Sequence, residues 1–200
     1  MDLVIITGTP GTGKTIIAKK ISEISNSYVI SLGEMVLAEK FITSYDNKRK
    51  TSVIDDNKII KKVINVINNK KKDNYDIIIV ESHFSDIVPD ELIDHAIILR
   101  CHPEELIRRL NKRGYASSKV MENVQSEILG NCMSYLIEKQ LKTPIIEIDT
   151  SSFIAEDVAK KIVDLIFNAE KLDEYPLPRI DWLEILFKEN KLNDFFNITK

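Results

Sequence analysis

Gly8-Thr9-Pro10-Gly11-Thr12-Gly13-Lys14-Thr15 follows the apolar run Leu3-Val4-Ile5-Ile6 and precedes a helix-like segment from Ile16 to Ser25. It matches the phosphate-binding loop pattern G-x-x-x-x-G-K-[ST], in the strand, loop and helix context that the pattern requires. Glycines let backbone N–H groups turn inward around a polyphosphate, and the helix that follows aims its positive end at the same charge. Lys14 then reaches the β- and γ-phosphates, while the Thr15 hydroxyl is placed to ligate Mg²⁺. The loop by itself predicts a polyphosphate site between a first strand and a first helix.

Working outward, strand and helix patterns alternate. Thr15 to Ser25 is amphipathic, with Ile17, Ile21 and Ile24 on one face. Tyr28-Val29-Ile30-Ser31 reads as a short buried strand, and Gly33 as the glycine of a tight strand-to-helix turn before a short helix from Met35. From Glu39 to Asp56 the periodicity dissolves into polar and charged residues, the pattern of a mobile insertion. Asp55-Asp56-Asn57 supplies N-cap candidates for a helix with Ile59, Ile60, Val63, Ile64 and Ile67 inward. Lys58, Lys61 and Lys62 on that helix fit either a solvated face or an RNA contact.

Asp76 to Glu81, Ala96 to Arg100 and Ile145 to Asp149 are uninterrupted apolar runs of the kind buried on both faces of a parallel sheet. Pro103-Glu104-Glu105 is a good first helical turn, and Gly114 to Ser118 interrupts that helix before a long one predicted from about Lys119 to Lys139. Ala155 to Asn168 is the last core helix, burying Val158, Ile162, Leu165 and Ile166. The alternation predicts an α/β fold: a three-layer, five-stranded parallel sheet with helices on both faces, joined by right-handed crossovers.

Composition bounds the rest. The 200 residues suit one α/β domain with a substantial core, and 44% hydrophobic with 30% charged residues is ordinary for a globular protein. A formal charge of -3 argues against a generally basic surface that coats nucleic acid, so no DNA partner is expected. Met1-Asp2 leads at once into the first strand and no apolar run approaches the ~20 residues needed to cross a bilayer, so the expectation is a cytoplasmic protein without membrane contact. Cys101 and Cys132 are too few for a disulfide framework, and Cys101-His102 has no second pair at zinc spacing. The domain is expected over residues 1–169, with 170–200 as a linker containing Pro176 and Pro178 followed by an apolar helical tail. Ile180, Trp182, Leu186, Phe187, Phe195 and Phe196 of that tail either fold back over the domain or form a contact surface.

In open parallel sheets ligands bind beyond the carboxyl ends of the strands, which here carry Gly8 to Thr15, Leu32-Gly33-Glu34, Glu81-Ser82-His83, Arg100 and Thr150-Ser151. Glu81 occupies the position of the second acid of such nucleotide enzymes, holding Mg²⁺ through water or orienting an attacking hydroxyl. His83 either positions the acceptor or a water, or makes simple loop hydrogen bonds. Arg109 and Arg113 are four apart, and a basic segment closing over the phosphates stabilises the moving charge while excluding water; the alternative is surface arginines paired with Glu104 and Glu105.

The chain resembles the nucleoside-monophosphate kinases. Within them it is similar to the atypical adenylate kinases of archaea and eukaryotic nuclei that are associated with small-ribosomal-subunit maturation. The residues that carry the resemblance are GTPGTGKT at Gly8, VESHFSDIVP at Val80 to Pro89, LRCHPEELIRRLNKRGY at Leu99 to Tyr115, and KVMENVQSEI at Lys119 to Ile128. It implies a P-loop kinase core with a monophosphate-binding segment at about residues 31–54 and a short lid at about residues 112–122. It assigns Gly11, Thr12, Gly13, Lys14, Thr15 and Ile16 to ATP phosphate binding, and Arg109 and Arg113 to adenine stacking and phosphate contact. Glu81 and His83 correspond to the family's D-x-H pattern, with Glu in place of Asp. The implied activity is Mg²⁺-dependent transfer of the ATP γ-phosphoryl group to AMP, with ATPase activity and a small-subunit ribosomal protein or rRNA as partner. One departure concerns the acceptor: Leu37 stands where ordinary adenylate kinases place the arginine for the AMP phosphate, with Arg49 or Arg100 as substitutes.

Overall fold

A computed structural model describes residues 1–39, 41–46, 51–83, 87–152, 154–168 and 180–196. Its main sheet has five strands: β1 (Asp2–Thr7), β2 (Ser27–Ser31), β5 (Ile77–Glu81), β6 (His95–Arg100) and β7 (Ile145–Asp149), in the order β2-β5-β1-β6-β7. All the pairings are parallel, as the apolar runs predicted. Every residue of β5 is buried, because helices cover both faces and no solvated side remains for polar alternation. The crossing between β5 and β6 on either side of β1 puts the end of β1 at the switch point of the sheet, where a crevice opens.

One face is covered by α1 (Lys14–Ile24) and α7 (Ala155–Phe167), which bury Ile17, Ile21, Ile162 and Leu165 against Val4, Ile6, Ile79 and Ile97. The other is covered by α2 (Leu32–Ala38), α3 (Asp56–Lys70) and α6 (Asn131–Glu138), with Leu32, Ile59, Val63, Ile67 and Leu136 on Leu3, Ile5, Ile78 and Val80. Asp55 caps α3 by accepting from the Lys58 amide at 3.2 Å. The lysines of α3 read as a solvated face: Lys58 pairs with Asp55 at 3.0 Å and Lys62 with Glu39 at 2.7 Å.

Three local expectations need correction. Gly33 lies inside α2, where an added Cβ would meet nothing within 4 Å; the turn is made by Ser31, whose hydroxyl caps the helix at the Glu34 amide, so no special backbone freedom is needed. The segment read as an insertion without periodicity contains an antiparallel hairpin, β3 (Ile42–Asp46) and β4 (Thr51–Ile54); β-branched residues and Tyr45 favour strands there even though charge masks the alternation. The long helix expected from Lys119 to Lys139 is two helices, α5 (Ser117–Ile128) and α6, broken at Gly130, whose φ of 65° is left-handed. Arg49 and the 170–179 linker lie outside the described residues.

A third, smaller core lies beside α4 (Pro103–Lys112) and α5. There α8 (Trp182–Lys188) and α9 (Leu192–Phe195) bury Trp182, Leu186 and Phe195 against Cys101, Leu106, Leu110, Val120 and Val124. The apolar tail therefore folds back over the domain, since its large side chains find a complementary apolar stripe on α4 and α5. No helix among the described residues is long and apolar enough to cross a membrane.

Candidate active site

The loop after β1 is held by its own geometry. Gly13 caps α1 at φ 105°, a left-handed conformation that favours glycine, and a Cβ on Gly8 would collide with the Leu99 carbonyl on the neighbouring strand. The Thr12 hydroxyl is turned inward to the Thr9 carbonyl at 2.9 Å, so Thr12 stiffens the loop with its side chain and presents only backbone to a ligand. Thr150, at the end of β7, donates to the Thr12 carbonyl at 2.8 Å and ties the loop to the far side of the sheet. Lys14 Nζ donates to the carbonyls of Gly8 at 2.7 Å and Thr9 at 3.1 Å. Burial pulls its ammonium below the ordinary value, opposed by Cys132, Glu81 and Glu127 and reinforced by Arg113.

Glu81, 5% exposed at the end of β5, faces Ser31 in register on β2. One of its oxygens accepts from the Ser31 hydroxyl at 2.6 Å and from the Thr15 hydroxyl at 3.2 Å. Hard oxygen donors from β5 and from the first turn of α1 thus meet beside Lys14. That donor set fits Mg²⁺, which takes one or two protein oxygens and completes its octahedron with water and phosphate oxygens.

A cleft of about 330 Å³ opens over these residues, lined by Gly13, Lys14, Thr15 and Glu81 on the loop side. Ser31, Gly33, Glu34 and Leu37 form one flank, and Arg113 and Tyr115 the opposite one. Leu37 is 69% exposed on the first flank, so the position that resembles an arginine site presents a bare apolar side chain. His83 stands at the cleft edge with much of its area exposed, yet enough protein surrounds the ring to push it down to about 4, chiefly by desolvation. The cations of Lys14 and Lys119 act in the same downward direction, so the imidazole is neutral at pH 7.

A second groove, of about 390 Å³, shares Gly11, Gly13, Ile16 and Arg113 with the cleft and continues along Arg108, Arg109 and Lys112. Ile16 is 50% exposed between the two. Arg109 combines both sequence readings: its guanidinium lines this groove while bonding Glu105 at 2.7 Å and the Thr150 carbonyl at 2.5 Å. α4 ends at Lys112, so Arg113 is the residue that follows the helix and turns into the cleft. The segment over 112–122 is the end of α4, a four-residue turn (113–116) and the start of α5.

Arg100 does not reach the cleft and is no substitute for the missing arginine. It is 3% exposed and buried with two carboxylates, bonding Glu127 at 2.8 Å and Glu147. An arginine committed to two buried acids cannot leave them without stranding their charge. Sequence reasoning missed Glu127, which is 2% exposed and accepts from the Thr9 hydroxyl at 2.5 Å. The available signal was its position on α5, three residues after Val124 and seven after Val120, both buried: the spacing put an acid on the apolar face. Tyr115, part of the helix break and of the segment expected as a lid, lines the cleft beside Arg113.

Comparison with known proteins agrees with this geometry. Residues 4–130 match the model of a family described as AAA domain. A protein of Methanocaldococcus jannaschii named "Putative adenylate kinase" is 35% identical over 184 residues, covering 92% of this chain and 94% of its own. Proteins of the same name from Methanosarcina acetivorans, 34% identical over 91% of this chain and 98% of the relative, and from Saccharolobus islandicus (strain L.S.2.15 / Lassen #1), 34% identical over 81% of this chain and 82% of the relative, are similarly related. Among solved structures, shikimate kinase from Acinetobacter baumannii in complex with shikimate superposes with a TM-score of 0.54 over 85% of this chain and 95% of that one, at 11% identity, which speaks to the fold alone. With a loop of the phosphate-binding pattern and the P-loop kinase sheet order in place, the chain belongs to the AAA domain family and to the family of these archaeal relatives named putative adenylate kinase.

Proposed function

We propose that this protein transfers the γ-phosphoryl group of Mg-ATP to a nucleoside monophosphate, AMP being favoured. The carrying observation is the meeting of Lys14, Thr15 and Glu81 in the cleft, next to the residues Gly13 and Ile16 that it shares with the second groove. ATP lies with its phosphates on Gly11 to Ile16 and its base in the groove beside Arg109. The acceptor enters the cleft against Ser31, Glu34 and Leu37. An oxygen of the acceptor phosphate attacks the γ-phosphorus, the bond to the β–γ bridging oxygen breaks, and ATP plus AMP become two ADP. Thr15 and Glu81 would hold Mg²⁺, which when bound would supply charge neutralisation to the phosphate oxygens. Lys14 and Arg113 provide fixed positive charge to the same oxygens, and Tyr115 with Arg113 restricts water on the open flank. The relatives' name supports adenylate as the acceptor.

The test is a product assay with ATP, Mg²⁺ and each nucleoside monophosphate in turn, with a no-acceptor control. ADP formed fastest with AMP is the expected result; hydrolysis that no monophosphate accelerates sinks the kinase reading. A second reading rests on neutral His83 at the cleft edge and on exposed Leu37, which leaves the acceptor flank without a cation among its described residues. His83 then orients a water, and slow ATP hydrolysis in a cytoplasmic assembly factor switches its grip on a small-subunit ribosomal protein or rRNA. Pull-downs under ATP and under ADP distinguish it: ribosomal partners retained equally, or not at all, remove the switch.

A further inference from the structure

The tail binds the domain through more than apolar packing. Its backbone and its single tryptophan enter a buried ionic cluster that also holds the phosphate loop. Glu127 Oε1 accepts from Arg100 Nε at 2.8 Å, from the Cys101 amide at 3.1 Å and from Trp182 Nε1 at 3.2 Å. Its other oxygen accepts the Thr9 hydroxyl. Arg100 reaches the Ile180 carbonyl at 3.1 Å, and the Ile180 amide donates to Glu147 at 2.9 Å. Two buried carboxylates share one guanidinium, and neutral donors add to its stabilisation of their charge; two of those donors, Trp182 Nε1 and Ile180 N, belong to the tail. Thr9 is at once a donor to Glu127 and, through its carbonyl, an acceptor of Lys14.

We infer that Glu127 is a positioning residue which sets the phosphate loop through Thr9, and that the C-terminal tail completes it, so that nucleotide binding at the loop and docking of Trp182 are coupled. The inference rests on the proposal that ATP occupies the loop. Polyphosphate oxygens draw Lys14 away from the Thr9 carbonyl, the Thr9 hydroxyl adjusts with its backbone, and the shared carboxylate passes the change to the indole N–H. By reciprocity, undocking of the tail changes nucleotide affinity by the same factor by which nucleotide changes tail docking, and loss of the indole donor weakens that docking. The route has no other tryptophan to confuse its readout, and the indole packs edge-on against His102 at 5.2 Å, so its emission is sensitive to small displacement.

The experiment titrates the full chain with Mg²⁺ and a non-hydrolysable ATP analogue, following Trp182 emission and, in parallel, heat by calorimetry. Calorimetric binding with a saturable emission change at the same concentration is expected. Thr9→Val, which keeps the shape and removes the hydroxyl, is expected to bind the analogue more weakly, with the emission change lost even at saturation. Trp182→Phe, which keeps an aromatic ring in the pocket, is expected to raise KM for ATP about fivefold with kcat within about twofold. Binding seen by calorimetry without an emission change in the natural chain overturns the coupling while leaving ATP binding intact. Absence of calorimetric binding overturns the ATP reading itself, and the coupling with it. A folded Trp182→Phe with unaltered KM, or an emission change that survives Thr9→Val, overturns the route through Glu127.

Discussion

Thr15 Oγ1 lies 3.2 Å from Glu81 Oε1, although 66 residues separate them in the chain. The pairing follows from the register of β1 on β5, which aligns Ile6 with Glu81 and brings the start of α1 over the end of β5. Replacement of Glu81 by Gln keeps the Ser31 and Thr15 contacts within reach while removing the charge. The rate of ADP formation is expected to fall about tenfold to a hundredfold, with a higher Mg²⁺ concentration needed for half-maximal rate. A Mg²⁺ titration of the variant measures both, and an unchanged Mg²⁺ dependence counts against metal binding by this acid.

Lys14→Ala is expected to abolish transfer and hydrolysis together. Lys14 is the lysine of the loop, 9% exposed, and its ammonium donates to the loop carbonyls of Gly8 and Thr9, within reach of the cleft where the proposal puts the phosphates. Survival of either activity would locate the phosphate site elsewhere.

Leu37→Arg places a guanidinium on the exposed acceptor flank, in helix α2, where arginine is a good helix former and the side chain meets little steric opposition. If the acceptor is AMP, its KM is expected to drop about tenfold, the scale of a charge-assisted hydrogen bond to phosphate, with KM for ATP unchanged. Steady-state kinetics with each nucleotide varied in turn checks this. An unaltered KM for AMP means that the acceptor phosphate lies away from α2.

His83 carries a pH signature. Its folded-state value is depressed from 6.5 to about 4, so the unfolded chain binds the extra proton first as pH falls. Stability from this group is complete above pH 6.5 and declines as pH drops from 6.5 towards 4. An NMR titration of the ring is expected to give a midpoint well below 6.5, and a midpoint at or above that value rules out a neutral cleft histidine near the lower end of physiological pH.

Leu186→Ala empties a fully buried position in the third core and is expected to cost about 2–5 kcal/mol. Urea unfolding followed by circular dichroism measures it. A loss below ~1 kcal/mol would mean that the tail contributes little to the stability of α4 and α5.

The sequence by itself determined the strands, the loop and the polarity of the sheet. Leu3 to Ile6, Ile77 to Val80 and Ala96 to Leu99 are apolar without interruption, which only burial on both faces accommodates, and the loop pattern names its own ligand class because few residue orders let a backbone wrap phosphate. That Lys14, Thr15 and Glu81 would meet at one edge of the sheet was legible for that reason. Gly33 and the hairpin at Ile42 to Ile54 were misread because local propensity is weak where caps and charges compete with it.

Tertiary structure alone decided the fate of the charged residues. Arg100 and Arg113 are both arginines near the carboxyl edge of the sheet, yet one is sealed between Glu127 and Glu147 and the other lines the cleft. A charge has no periodicity that reveals its partner, and the partners here come from α5, β7 and the tail, segments brought together only by packing. The loop at Gly8 announced a phosphate site, but its anchoring to Glu127, and through Glu127 to Trp182, exists only in the folded chain.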